Sequence, residues 1–209
     1  MSKKKKLIIA FGGRKHSGKS LAAELTANIA DNFGLDWEVI SFADKLKEVA
    51  ASIFPIDRNK ENDAAYKEAL LPEPCSHLTP RHIYQTLGTD IARKLWADVW
   101  VYHTDLKIVS STADVILIPD LRFDNEMDYL LRLQEQDNLY VVLVNIVRYT
   151  DEKDNHDSER GLSPQSVFKY DLTIFNDASL TEYVSKVRAY LGGVVKTFIR
   201  QCNDGKLTA

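Results

Sequence analysis

Residues 13–20 read Gly13-Arg14-Lys15-His16-Ser17-Gly18-Lys19-Ser20, a complete G-x-x-x-x-G-K-[ST] phosphate-binding loop. Its glycines let the backbone turn several N–H groups toward one phosphate. Lys19 adds a mobile cation, and Ser20 supplies a hydroxyl to a bound magnesium ion. The apolar run Leu7-Ile8-Ile9-Ala10-Phe11 before it reads as a buried strand. Leu21-Ala22-Ala23-Glu24-Leu25 after it opens a helix, whose N-terminus favours negative charge. A strand, such a loop and a helix in that order constrain the chain to an α/β core that binds a nucleoside triphosphate. His16 within the loop is positional, since its backbone N–H matters more than its ring.

The bulk numbers agree with one soluble core. The chain has 209 residues, 44% hydrophobic and 27% charged, with a formal charge of −3. That length favours one domain with an insertion over two domains. The acidic balance argues against a general nucleic-acid binder and leaves room for a local basic pocket. The run Lys3–Lys6 reads as a solvated approach to the first strand. Cys75 and Cys202 are the two cysteines, without metal-ligand spacing, and fit unpaired thiols in a reducing compartment. No apolar stretch reaches membrane-span length, and the five apolar residues after Lys6 are too few for a signal peptide. The expected location is the cytoplasm, with no membrane partner.

Strand and helix signals alternate, as in a sandwich around a mainly parallel sheet. After the first helix, strands are expected at Trp37–Phe42, Val115–Ile118, Tyr140–Val147 and Leu172–Phe175. The second of these is apolar at consecutive positions, as a strand covered on both faces should be, and ends at Pro119-Asp120. Helices are expected over Ala43–Phe54, from Thr79-Pro80 to Leu87, on to Trp96, over Val99–Ser110, Glu126–Glu135 and Leu180–Cys202. Gly88 marks a break or a tight approach. Residues 55–78 look like an irregular exposed insertion, and the charged stretch 148–166 is long enough for a lid.

Several residues can carry chemistry. Asp120 and Arg122 fall just past the carboxyl end of a buried strand, where open α/β sheets bind ligands. The aspartate can hold magnesium, directly or through water, or orient a substrate group, and the arginine can grip a phosphate. Both also suit an ion pair capping the next helix. Arg81, Gln85 and Gly88 are spaced to face one side of a helix. Trp96 and Trp100 can stack a base or simply pack in the core.

The phosphate loop, Phe42-Ala43-Asp44-Lys45-Leu46-Lys47, Gln85-Thr86-Leu87-Gly88-Thr89, Asp98-Val99-Trp100, Ile118-Pro119-Asp120-Leu121-Arg122-Phe123-Asp124-Asn125-Glu126 and His156-Asp157-Ser158-Glu159 follow one another in that order. Together they resemble the deoxynucleoside monophosphate kinases of bacteriophages, within the P-loop nucleoside-monophosphate-kinase-like fold. Pro119 departs from the small residue that usually precedes that aspartate.

The resemblance implies a three-layer α/β/α P-loop NTPase core with a mainly parallel five-stranded sheet, a helical acceptor-binding insertion and a lid. One kinase domain would span 1–209, with core segments 6–54 and 112–205, the insertion at about 55–111 and the lid at about 148–166. It implies transfer of the ATP γ-phosphoryl group to a deoxynucleoside monophosphate, with Mg2+ as cofactor. By position, Lys19, Arg122 and Arg148 would be catalytic, and Gly13, Arg14, Lys15, His16, Ser17, Gly18, Lys19 and Ser20 would bind ATP. Asp44, Arg81, Gln85, Gly88, Thr89, Trp100, Asp120, Arg122 and Glu126 would form the acceptor site. Ser20 and Asp120 would hold the metal, and His156, Glu159 and Arg160 would belong to the lid. The partners would be small-molecule nucleotides, with no nucleic acid, in the host cytoplasm if the chain is phage-encoded. Kinases of this type are often homodimers, though nothing in the sequence fixes an interface. A related kinase acting on dephospho-coenzyme A or phosphomevalonate, and an ATP-switched regulatory module, are the competing readings. Base selectivity stays open.

Overall fold

The computed structural model describes residues 4–61, 63–149 and 162–207. Five strands form one parallel sheet: β1 (Lys6–Gly12), β2 (Trp37–Val39), β3 (Val115–Leu121), β4 (Leu139–Val147) and β5 (Leu172–Phe175), in the order β2-β3-β1-β4-β5. The helices are α1 (Lys19–Asn32), α2 (Asp44–Ile53), α3 (Ala64–Glu68), α4 (Pro80–Gln85), α5 (Arg93–Leu95), α6 (Val99–Ser110), α7 (Asp124–Gln134), α8 (Pro164–Val167) and α9 (Leu180–Leu207).

Alternation along β1 divides the core. Leu7, Ile9 and Phe11 pack with α1 and α9, whereas Ile8 and Ala10 face α6 and α7. With helices on both faces, β1, β3 and β4 are apolar at successive positions, as covered parallel strands must be. This is the expected three-layer α/β/α P-loop fold. No helix of the described residues is long and apolar enough to cross a membrane.

β2 is shorter than the expected 37–42. It lies at the sheet edge with all three residues exposed, although Ile40 N–H still donates to Leu117 O at 3.0 Å. Past that point the chain leaves the sheet to enter α2. β3 is longer than expected and carries Pro119 inside it. Beyond Ile118 its register with β1 slips, so a residue without an N–H is tolerated at the irregularity. Lys6, expected to be solvated, lies in β1 and donates to the carbonyls of Ile108 and Ser111 at the end of α6.

The segment between α2 and α6 has its own small core of Ala50, Ile56, Leu71 and Ile83, with Tyr66, Tyr84 and Leu87 packed against it. Residues 55–78, expected to be irregular, contain a 3-10 turn at Arg58–Lys60 and α3, each capped by an aspartate, Asp57 and Asp63. Thr79 caps α4 by accepting His82 N–H, with Pro80 at the first helical position. At Gly88, expected to mark a break or a tight approach, there is no break: α4 runs into a π-helical turn over Thr86–Ala92 and then into α5, and the glycine meets Leu46 closely.

Candidate active site

The phosphate loop leaves the carboxyl end of β1, the central strand, and reaches α1 through Gly18. Gly18 has φ +107°, and a Cβ there would lie 2.9 Å from Nδ2 of Asn176. The loop is braced from below: Asn176 Nδ2 donates to Ser17 O and Tyr183 Oη donates to Gly18 O, each at 2.9 Å. His16 also adopts a left-handed φ of 60°, uncommon for a residue with a side chain. The loop's curvature therefore comes partly from a non-glycine residue held by its surroundings. The buried ammonium of Lys19 donates to Gly13 O and Arg14 O, both at 2.7 Å, which curls the side chain back over the loop.

Residues Lys15 to Leu21 border a cavity of about 540 Å³, within the usual range for small-molecule sites. The far wall comes from α2, α3, α4 and the π-helical turn, and the floor from the end of β3. Gln85, Gly88, Thr89 and Trp100 all border it. Gly88 is required by close approach, since a Cβ would lie 2.5 Å from Cδ2 of Leu46. Trp100 is 6% exposed, and its indole N–H donates to Gly88 O at 3.0 Å. It thus forms wall and core at once. Trp96 is half exposed, stacks near Tyr102 and stays outside the cavity.

Asp120 borders the floor, and its carboxylate oxygens accept the N–H groups of Phe42 and Ala43, at 3.0 Å each. It thereby fixes the crossover from β2 to α2. Burial pushes its pKa up, against the pull of those two N–H groups and of Arg122 and Lys47. Glu126 is 1% exposed. Its carboxylate takes the N–H groups of Arg122 (2.9 Å) and Phe123 (3.1 Å) and pairs with Arg93. Burial raises its pKa to about 7, opposed chiefly by Arg93. The guanidinium of Arg93 lies 3.8 Å from the centre of the Phe123 ring. Glu126, expected to contact substrate, has both oxygens committed to holding the turn that presents Arg122.

Asp44 is also placed differently from expectation. At the first position of α2, its carboxylate accepts Ser41 N–H at 3.0 Å and pairs with Lys107 on α6 at 2.8 Å, and it does not border the cavity. Arg81 borders the cavity and pairs with Glu68, which also takes Lys15 at 3.2 Å. Arg122 and Arg148 both border it. His156, Glu159 and Arg160 lie outside the described residues.

Lys47 and Lys67, which carry no role in the sequence expectations, also border the cavity, as does Arg93 at the end of the 81–93 segment, whose arginines can bind phosphate. Lysines on short helices look like any surface charge, and their convergence needs the fold. Among the described residues, the cavity lining carries eight lysine and arginine side chains against two carboxylates, in a chain of net charge −3. Both carboxylates accept hydrogen bonds from protein N–H groups. Such a concave, one-signed lining concentrates a polyanion. The hydroxyls of Ser17 and Tyr84, on two bordering residues, are buried without a partner among the described residues.

Magnesium takes hard oxygen donors and keeps several waters. Ser20 Oγ at the exposed start of α1 and the Asp120 carboxylate, with lone pairs to spare beyond its two N–H bonds, are oxygens of that kind. The donor set fits the ion. The described residues contain no cluster of three His, Cys, Asp or Glu side chains, so no all-protein metal cage competes with it.

Comparison with known proteins adds to this geometry. A deoxynucleoside-5'-monophosphate kinase of Escherichia phage T5 is 33% identical over 89 residues, which are 41% of this chain and 35% of that protein. Among solved structures, an APS kinase of Mycobacterium tuberculosis aligns at a TM-score of 0.44 and 13% identity, over 90% of this chain and 99% of its own. A gluconokinase of Sinorhizobium meliloti 1021 aligns at 0.41 and 15%, over 95% and 99%. The profile of deoxynucleotide monophosphate kinases matches residues 39–187. That stretch runs from β2 through the insertion and β3 to α9, and so includes the far wall and the floor of the cavity. The chain belongs to the deoxynucleotide monophosphate kinase family.

Proposed function

We propose that the chain transfers the γ-phosphoryl group of ATP to the phosphate of a deoxynucleoside monophosphate, giving ADP and a deoxynucleoside diphosphate. One observation carries the reading: the phosphate loop and the wall containing Gln85, Gly88, Thr89 and Trp100 border a single cationic cavity. A donor on the loop and an acceptor on the wall would therefore meet without crossing solvent. The similarity to the phage T5 kinase supports the same acceptor class.

The acceptor oxygen is already anionic, so no general base is needed, and positioning with charge neutralisation supplies the acceleration. Lys19 leaves the Gly13 and Arg14 carbonyls to reach the donor's phosphates as the loop's N–H groups receive them. Arg122, on the turn fixed by Glu126, and Arg148, at the end of β4, neutralise charge on the transferring group. Asp120 holds Phe42 and Ala43 in place beneath the acceptor. Gln85 and Thr89 offer hydrogen bonds to the nucleoside while Trp100 packs against it. Ser20 and Asp120 would hold a magnesium ion, which would supply further neutralisation of the donor phosphates. Within the domain over 1–209, residues 55–111 act as the acceptor-binding part, and 148–166 as the lid.

A coupled ADP-release assay with Mg2+, ATP and each deoxy- and ribonucleoside monophosphate tests this reading. Acceptor-dependent ADP release is expected. Hydrolysis at equal rate without an acceptor, or turnover with dephospho-coenzyme A or phosphomevalonate alone, would overturn it.

A further inference from the structure

We propose that Asn176 and Tyr183 are positioning residues for the donor. They set two successive peptide planes of the phosphate loop, so that the N–H groups of Gly18 and Lys19 face the donor's phosphates. The donor's identity as ATP rests on the phosphoryl-transfer reading above; the brace rests on geometry.

Asn176 directly follows β5, and Tyr183 lies in the first turn of α9. Neither borders the cavity, so each acts on the donor only through the loop. Asn176 Nδ2 donates to Ser17 O and Tyr183 Oη to Gly18 O, both at 2.9 Å. The peptide bonds on either side of Gly18 are trans. In a trans peptide the carbonyl and the following N–H point opposite ways. Drawing the two carbonyls toward β5 and α9 therefore turns the N–H groups of Gly18 and Lys19 toward the cavity, which both residues border. Gly18 cannot fix these planes alone, since a glycine at φ +107° is free to rotate at both dihedrals. The same two atoms crowd it from that side: a Cβ would lie 2.9 Å from Asn176 Nδ2 and 3.0 Å from Tyr183 Oη.

Satisfying carbonyls does not account for both bonds. Gly18 O already accepts Ala22 N–H at 3.0 Å, so the Tyr183 hydroxyl is a second donor to it. Lys19 holds two further loop carbonyls, Gly13 O and Arg14 O, and releases them to reach a phosphate. The bonds from Asn176 and Tyr183 come from outside the cavity and stay in place when the donor arrives. Both residues are themselves anchored. Asn176 N–H donates to Val147 O at 2.7 Å, and Tyr183 is 1% exposed in the core it shares with α1. Donors fixed in advance bind an anion without first being ordered.

The test compares the full chain with Asn176→Leu and Tyr183→Phe, which keep the side chain's shape and remove its donor. Calorimetry with Mg2+ measures binding of ATP and of inorganic triphosphate, steady-state kinetics the KM of each substrate, and 1H–15N spectra the Gly18 amide. Each variant is expected to bind ATP and triphosphate about threefold to tenfold more weakly, the scale of one hydrogen bond, with the acceptor KM within about twofold of wild type. On ATP binding the wild-type Gly18 amide proton should move downfield, as a donor to phosphate does, and move less in either variant. A merely structural brace would lower Tm and leave triphosphate affinity and this shift unchanged. That result, or an equal rise in acceptor KM, overturns the proposal. If Asn176→Leu does not fold, Tyr183→Phe decides the matter, since it removes one oxygen and keeps the ring. If the wild type binds ATP but phosphorylates no nucleoside monophosphate, the phosphoryl-transfer reading falls, and the same affinities still uphold or overturn the brace. A wild type that binds neither ATP nor triphosphate overturns it outright.

Discussion

The guanidinium of Arg93 is paired with the carboxylate of Glu126 in the interior, and the pair joins the insertion to the core. Arg93 begins α5 after the π-helical turn, whereas Glu126 sits in the first turn of α7. Arg93 also donates to Ala97 O and Asn125 Oδ1, and Asn125 Nδ2 donates to Asp98 Oδ1 at 2.9 Å. The starts of α6 and α7 are thus tied together below the acceptor wall.

Removing Arg93 should therefore cost more than a surface pair would. Arg93→Met leaves a buried carboxylate with two backbone N–H groups and no cation. A loss of about 3 kcal/mol is expected, equivalent to about 6–12 °C in Tm for a chain of this size. Urea or thermal denaturation measures it. A change below about 1 kcal/mol would mean that the pair does not tie the two parts together.

Glu126 should also leave a signature in the pH dependence of stability. Its folded pKa of about 7 exceeds the ordinary 4.5, so between these values the folded state binds more protons than the unfolded chain. Stability from this group is therefore greatest at low pH and falls as pH rises from about 4.5 to about 7. Glu126→Gln, though less stable overall, should lack that slope. Denaturation midpoints of both proteins across this window check the sign, and parallel profiles would contradict it.

The parts of this site that could be read in sequence are those fixed by local pattern. The loop from Gly13 to Ser20 and the apolar strand after Asp114 needed no tertiary information, and both appear where expected. Ile40 and Phe42 look like strand residues, yet the edge strand stops at Val39. Asp120, distant in sequence, draws the Phe42 and Ala43 N–H groups out of the sheet. The π-helical turn was invisible, because packing of Gly88 on Leu46 and its bond from Trp100 set its register, and propensity does not. Asp44 carried a plausible carboxylate in a matching motif, yet Lys107 and Ser41 claim it. Lys47 and Lys67 gave no signal because a convergence of lysines across helices has no sequence period.

Loss of the two phosphate-directed cations should separate catalysis from folding. Lys19→Ala removes two hydrogen bonds to loop carbonyls, and Arg122→Ala trims a side chain at the cavity. Each should lower kcat by about 10²- to 10³-fold, the scale for deleting one transition-state donor, while circular dichroism and the unfolding transition stay cooperative. A folded variant with near-native turnover would remove that residue from the catalytic set.

The contact between Gly88 and Leu46 offers a test of the acceptor wall itself. Gly88→Ala places a methyl 2.5 Å from Leu46 Cδ2, and Leu46 is nearly buried beside the cavity. Helix propensity favours alanine by up to about 1 kcal/mol, whereas overpacking costs about 1–3 kcal/mol. A net loss of about 1 kcal/mol is therefore expected, with a raised acceptor KM and an unchanged ATP KM, because Gly88 and Leu46 both line the cavity on the side away from the phosphate loop's own residues. Leu46→Ala alone should destabilise by about 2 kcal/mol or more. Combined with Gly88→Ala it should cost less than the sum, because the added methyl enters the space that leucine vacates. A double-mutant cycle with coupling above about 1 kcal/mol, together with partial recovery of the acceptor KM, checks the contact. Strict additivity, or an effect on ATP in place of the acceptor, would place Gly88 elsewhere than on the acceptor wall.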